Sequence, residues 1–180
     1  AATVIDAKGK HITSGIIDEH SHIAISKGVN ESGHNSTAEV TIQDVVNSED
    51  INIYRDLAGG VTISQLLHGS ANPIGGQSAL VKLKWGHYPH EYVIKNAPKF
   101  VKFALGENVK QSNWGDGFRN RFPQSRMGVP AFHTNRFTAA RKCPTTPGSR
   151  SSSTFPVSIS AQVDALTSDD ADLPRCRPQS

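Results

Sequence analysis

Cysteine and methionine are scarce, with two Cys and one Met in 180 residues. Cys143 and Cys176 are too few for a disulfide framework, so an apolar core has to hold the fold. Long apolar runs are missing as well. None approaches the roughly 18 residues of a membrane helix, and no membrane span is expected. Charge of one sign is nowhere gathered: the net formal charge is +3, with Lys8, Lys27, Lys82, Lys84, Lys95, Lys99, Lys102 and Lys110 set singly along the chain. A nucleic-acid surface needs clustered base interleaved with aromatics, so no nucleic-acid partner is expected. No signal peptide leads the chain, which opens on Ala1 and holds its single methionine at Met127. That start reads as a cut end and leaves the compartment open.

Glycine and proline divide what is present. Fourteen of 15 Gly lie at or before Gly128, whereas six of 10 Pro and both Cys fall from Pro130 onward. Residues 130–180 are rich in Ser, Thr, Pro and Arg and read as a disordered tail, too poor in apolar surface to offset the entropy of ordering. Residues 1–129 alternate strand-like runs with loops and one helix. Ala2–Asp6 reads as a short strand, 7–10 as a turn, and Gly15–His22 as a buried strand. The polar, Gly-containing stretch 26–39 reads as a loop. Asn47 or Ser48 can cap a helix with Glu49 and Asp50 in its first turn, Ile51, Tyr54, Leu57 and Ala58 at helical spacing, and Gly59-Gly60 as its stop. Further strands are expected at 61–67, 78–85 and 100–105. Strand, helix, strand is the rhythm of a parallel α/β sheet or barrel, although 67–86 is poor in helix signals.

The chemistry concentrates where Gly15–His22 ends. His20 and His22 stand two apart on a strand, so both imidazoles project to one side, and paired neutral imidazoles are half of a metal site. Lys102 lies inside the apolar run 100–105. Buried, its amine loses protons readily and can capture carbon dioxide as a carbamate able to bridge two cations; facing a helix layer, it would snorkel outward instead. His68 follows the strand 61–67 and leads into Gly69-Ser70-Ala71-Asn72. It can contact substrate or simply cap the strand, and Asn72 is a second candidate for substrate contact. Glu107 reads as a rival metal bridge or a loop carboxylate. Gly75-Gly76 suggests a phosphate cradle, but no nucleotide-binding pattern surrounds it. His11, His34, His87, His90 and His133 fall in polar loops or the tail, where solvated surface positions are expected.

The run Val4–His22, with its Gly15-Ile16-Ile17-Asp18-Glu19-His20-Ser21-His22 ending, resembles the entry motif of the amidohydrolase superfamily. The stretches 57–86 and 99–115 resemble a bacterial branch of it, near the imidazolonepropionase-like and prolidase-like hydrolases. The resemblance covers about residues 2–129. It implies an α/β fold, namely the first about four strands of a (β/α)8 barrel preceded by the end of a β-sandwich. The corresponding divisions are 1–14, 15–129 and a tail at 130–180. It also implies one or two divalent metal ions, often zinc, held by His20, His22 and a carbamylated Lys102. The activity implied is hydrolysis of a C–N bond in an amide, cyclic amide or dipeptide by water that the metal activates. The partner is then a small-molecule or peptide substrate, in the bacterial cytoplasm or periplasm.

Departures from the family pattern are equally informative. Ser14 stands where a proline is usual. The family's later ligands, a histidine from each of the fifth and sixth strands and an aspartate from the eighth, have no counterparts. His133 is the only histidine after His90. The resemblance stops after Arg126-Met127-Gly128-Val129, where an out-of-frame continuation would account for the change in composition. The expectation is therefore an inactive amino-terminal portion of an amidohydrolase. The alternatives are a stable, non-enzymatic binding module or decoy and, more remotely, a phosphate binder using Gly69 and Gly75-Gly76.

Overall fold

Three strands containing β-branched and apolar residues build the larger of two small sheets in the computed structural model, which describes residues 2–115, 117 and 121–142. Strand β1 (Ile16–Ser21) leads through a long loop to helix α1 (Ile51–Ala58) and strand β2 (Val61–Leu66). β1 and β2 pair in parallel, Ile17 opposite Ile63 and Ser21 opposite Leu66, and the loop plus α1 supplies the crossover that parallel pairing needs. β3 (Ile74–Gln77) leaves this sheet, and β4 (Ala79–Lys82) returns to it antiparallel to β2, giving the order β1-β2-β4. After the short helix α2 (Pro89–Tyr92), β5 (Val101–Phe103) pairs antiparallel with β3 in a second sheet. Helix α3 (Gly128–Lys142) is the last described element.

Ile42, Ile53, Leu66, Val81 and Tyr92 form the main core between α1 and the β2–β4 pair. Tyr92 satisfies its buried hydroxyl by donating to Lys84 O at 2.7 Å. Val109 and Val129 anchor a second cluster with Ala104, where α3 meets the end of β5.

The structure departs from the sequence expectations at several elements. Ala2–Asp6 pairs with no strand among the described residues, and Val4 and Ile5 are exposed. β1 is a strand but not a buried one: it lies at the sheet edge, and Ile16 is 54% and Ile17 63% exposed among the described residues. Helix α1 is capped by Asp50, whose side chain accepts from Asn52 N–H, and not by Asn47 or Ser48. Its inward face is the buried Ile53 and the partly buried Leu57, while Ile51 and Tyr54 face outward and Tyr54 packs edge-on against Trp85. Parallel rhythm holds only for β1-α1-β2. The stretch 67–78 contains no helix to carry the chain back, so β4 returns antiparallel.

Gly75 and Gly76 sit in β3. The stretch 26–39 is a loop as expected; within it Ser36 forms an isolated bridge to Ile74, and Thr41 just beyond it pairs with Gln77. The tail expected from position 130 begins instead inside α3, which runs through Pro130; proline is tolerated in a first helical turn, where its missing N–H has no partner to lose. Cys143, Cys176 and the rest of 143–180 lie outside the described residues. No helix among the described residues is long and apolar enough to cross a membrane.

Candidate functional site

The His pair is placed as strand alternation requires. The His20 and His22 rings lie on one side of β1's end, centroids 5.1 Å apart and nearly perpendicular. His22 Nδ1 sits 2.8 Å from Leu67 O. A carbonyl only accepts, so Nδ1 carries a proton, and Nε2 is the ring nitrogen left to present a lone pair. The backbone reinforces this register, Leu67 N–H donating to Ser21 O at 3.1 Å.

Lys102 reaches the same point from the other sheet. It is the buried central residue of β5, 5% exposed, and its Nζ lies 3.4 Å from His20 Nε2. Burial pushes the Lys102 ammonium pKa down. Burial also lowers His20, and the nearby positive forms of Lys102 and His22 push in the same direction. At Lys102 and His20 the neutral nitrogen is therefore favoured, which is the protonation state that cation binding demands. Of the two readings of Lys102, the structure places it inward at the His pair.

His68 is the third imidazole of the region. It is buried, 4% exposed, and its Nδ1 has no hydrogen-bond partner. Burial lowers its pKa first, followed by the proximity of His22 and Lys102. Gly75 and Gly76 make its slot. A Cβ on Gly76 would collide with His68 Cε1 and lie 2.5 Å from Val40 O, and one on Gly75 would fall 3.1 Å from His68 Cβ and 3.4 Å from Lys102 Cβ. The glycine pair is thus a close-packing device between β3, His68 and Lys102, and not a phosphate cradle.

Asn72 is not brought to the His pair as a free amide. It is buried, and its Nδ2 donates both to Glu31 O and to Thr37 Oγ1, the latter at 2.8 Å, while Oδ1 accepts from Arg121 Nη2 at 2.9 Å. Its capacity is spent tying loops together, so its expected substrate contact is replaced by a structural role. Glu107 is exposed and pairs with Lys110, away from the His pair. His133, expected on the surface, is buried in α3 against Phe103 and Phe132 with Nε2 3.2 Å from Ala104 O.

Two residues outside the expected site set support it. Arg121 donates to Ser32 O at 2.9 Å, His34 O at 2.6 Å, Ala71 O at 3.1 Å and the Asn72 side chain, fastening the 31–37 loop to the segment after His68. Asp50 caps α1 and bonds the backbone just beyond His22. Only the helix-cap half of Asp50's role has a sequence signature.

The donor chemistry fits a divalent cation in part. Two imidazoles in fixed geometry beside a buried amine suit zinc-like ions, with room in the donor set for further ligands. Among the described residues, no three His, Cys, Asp or Glu side chains converge to complete a site.

The fold is mixed α/β, with a strand-end His pair facing a buried strand lysine, and the chain is similar to two known amidohydrolases. The chain is 34% identical over 144 aligned positions to amidohydrolase tasK of Hapsidospora irregularis, a match covering 71% of this chain and 14% of that protein. It superposes on the crystal structure of an amidohydrolase from Thermotoga maritima MSB8 with a TM-score of 0.60 and 31% identity, covering 78% of this chain and 40% of that one. No protein-family model matches. The chain belongs to the amidohydrolase superfamily. It spans well under half the length of either relative.

Proposed function

We propose that this chain carries the opening part of a metal-dependent amidohydrolase barrel. In this reading His20, His22 and Lys102 hold one or two divalent cations, zinc by preference, and the longer protein hydrolyses a C–N bond in an amide, cyclic amide or dipeptide. The observation that carries it is the approach of Lys102 Nζ to within 3.4 Å of His20 Nε2 from a different sheet. Sequence neighbours do not force that approach, since 82 positions separate the two residues.

Each residue has a distinct task. Leu67 O engages His22 Nδ1, leaving Nε2 as the nitrogen able to ligate. The lowered pKa of Lys102 leaves its amine free to attack carbon dioxide, forming an N–C bond and releasing one proton. The resulting carbamate offers two anionic oxygens beside the imidazoles. A bound cation would polarise the scissile carbonyl and generate a nucleophile from water at neutral pH. His68, buried and with an unpartnered Nδ1, is the residue we assign to substrate contact.

Isothermal titration of the purified 180-residue chain with Zn2+ tests the reading, together with 13C NMR after equilibration with labelled bicarbonate. Binding that is lost in His20→Ala and His22→Ala, and a carbamate signal lost in Lys102→Ala, are expected. Zn2+ affinity unchanged in both histidine variants overturns it. The chain alone, lacking the later His, His and Asp of the family pattern, is expected to show no turnover of dipeptides or cyclic amides with added Zn2+.

A further inference from the structure

We infer that Asp50 is a positioning residue for the His20–His22 pair, one carboxylate oxygen capping α1 and the other holding the left-handed turn that follows His22. For its functional consequence, though not for its geometry, this rests on the proposed role of the pair as cation ligands.

The turn is the unusual feature. Ala24 is completely buried and has φ +55°, a conformation that alanine adopts only at a cost. A buried amide there also needs a partner, because no water reaches it. Asp50 Oδ2 accepts the Ala24 N–H at 2.7 Å, and Ala24 O accepts from Asn47 N–H, also at 2.7 Å. Both polar groups of the turn are therefore satisfied by the segment entering α1. Asp50 Oδ1 meanwhile accepts from the backbone N–H of Asn52 at 3.0 Å and from its side-chain amide at 2.9 Å.

The His pair is thus held from two directions. On one side, His22 bonds the end of β2 through Leu67 O. On the other, two residues along, the chain is pinned to the N-terminus of α1. The demands on residue 50 are specific. Oδ1 and Oδ2 must both accept, one from the helix and one from the turn. Asparagine remains a good helix cap but offers a single acceptor, so D50N separates the two roles.

The test follows the His22 Nδ1–H proton by 1H–15N NMR and measures Co2+ affinity of the full chain, with far-ultraviolet circular dichroism reporting α1. Expected in D50N are faster exchange of that imidazole proton and an affinity loss of roughly tenfold or more, as for other groups that orient a ligand. Asn52→Ala, which leaves the bond to Ala24 in place, is expected to change neither. Adding Ala24→Gly to D50N should restore part of both signals, because glycine takes a positive φ without strain. A D50N protein with wild-type proton exchange and Co2+ affinity but a lower Tm would reduce Asp50 to a helix cap and overturn the inference. If the wild-type chain takes no Co2+, the cation reading fails, and the imidazole proton alone decides the role of Asp50. Native-state hydrogen exchange of the wild type decides it even if D50N does not fold: the Ala24 and Asn52 amides and the His22 ring proton are expected to open together. Free exchange at Ala24 with Asn52 protected would overturn it.

Discussion

A single added methyl group at Gly76 tests whether the two sheets meet as tightly as the site requires. Gly76 is extended in β3 and its backbone conformation suits alanine, so any cost is steric. The new Cβ would collide with His68 Cε1, lie 2.5 Å from Val40 O and lie 2.6 Å from Val40 Cγ2. The carbonyl cannot simply retreat, since it accepts the Gln77 N–H at 2.8 Å. Overpacking costs about 1–3 kcal/mol in general, and a pinned carbonyl puts this site at the upper end. Losing the Gln77 bond adds about 1 kcal/mol, roughly offset by the gain of about 0.5–1 kcal/mol from removing a glycine in a strand. The net expectation is about 3 kcal/mol of destabilisation. Gly75→Ala meets its nearest atom at 3.1 Å, on a side chain, and should cost about 1 kcal/mol or less.

Urea unfolding of the two variants reads the difference directly. For an m value of about 2 kcal/mol per M, Gly76→Ala lowers the midpoint by about 1.5 M with m unchanged. Combining it with His68→Ala should recover part of the loss, because one of the obstructing atoms is gone, and the cycle isolates that share. A Gly76→Ala midpoint within the range of wild type, or above that of Gly75→Ala, would refute the close packing of β3 on His68 and Val40.

Other expectations follow from single groups. Ser64 is fully buried in β2 with its hydroxyl unpartnered, so Ser64→Ala should raise stability by about 1 kcal/mol, visible as a higher Tm; a lower Tm would show that the hydroxyl finds a partner. Burial depresses the pKa of His133 below its ordinary 6.5, outweighing the opposing bond to Ala104 O. Below pH about 6.5 the unfolded chain therefore binds a proton that the folded chain refuses, and stability falls as pH falls. His133→Gln should flatten that part of the curve, and an unchanged slope between pH 7.5 and 5.5 would refute the assignment. Arg121→Lys replaces a planar fork by a point charge that cannot serve four acceptors, so limited proteolysis should open the 31–37 loop at a cost of about 2 kcal/mol. Unaltered cleavage would mean that Asn72 holds the loop alone.

How far the sequence could be read depended on whether a residue's neighbours in space were also its neighbours in order. His20 and His22 needed only the period of a strand, and their placement was legible. Lys102 was readable as a buried strand residue, but its direction was not, because nothing in 100–105 tells which sheet faces the run. The capping residue of α1 is not legible in the sequence, because Asn47, Ser48 and Asp50 are all competent caps, and what sets Asp50 apart is its second bond to Ala24, 26 positions earlier. β3 was hidden by its glycines, whose lack of side chains reads as a loop until His68 and Val40 are seen against them. Asn72 looked like a ligand because it follows His68 closely. Its real partners, Thr37 and Arg121, lie 35 and 49 positions away.

These long-range partners explain how a short chain brings its site groups together. The His pair and His68 belong to the β1-β2 sheet and its strand ends, whereas Lys102 belongs to the β3–β5 pair. The two sheets are not one hydrogen-bonded surface, so their separation has to be set by something else. The segment 35–41 does this on one side. Thr37 N–H donates to Ile74 O at 3.0 Å, Gln77 N–H to Val40 O, and Arg121 and Asn72 fasten the preceding loop to the residues after His68. On the other side, Ser78 N–H donates to Phe100 O at 2.8 Å as the chain passes from β3 into β4. A loop that is polar because it must hydrogen-bond to a strand edge thus ties β3, the partner of the Lys102 strand, to the segment that follows His68. Substitutions in 31–41, though none of its side chains reaches the His pair in the hydrogen bonds described, should act on cation affinity before they act on the stability of the β1-β2-β4 core. That core rests on Ile53, Leu66 and Val81 and does not depend on the loop's hydrogen bonds.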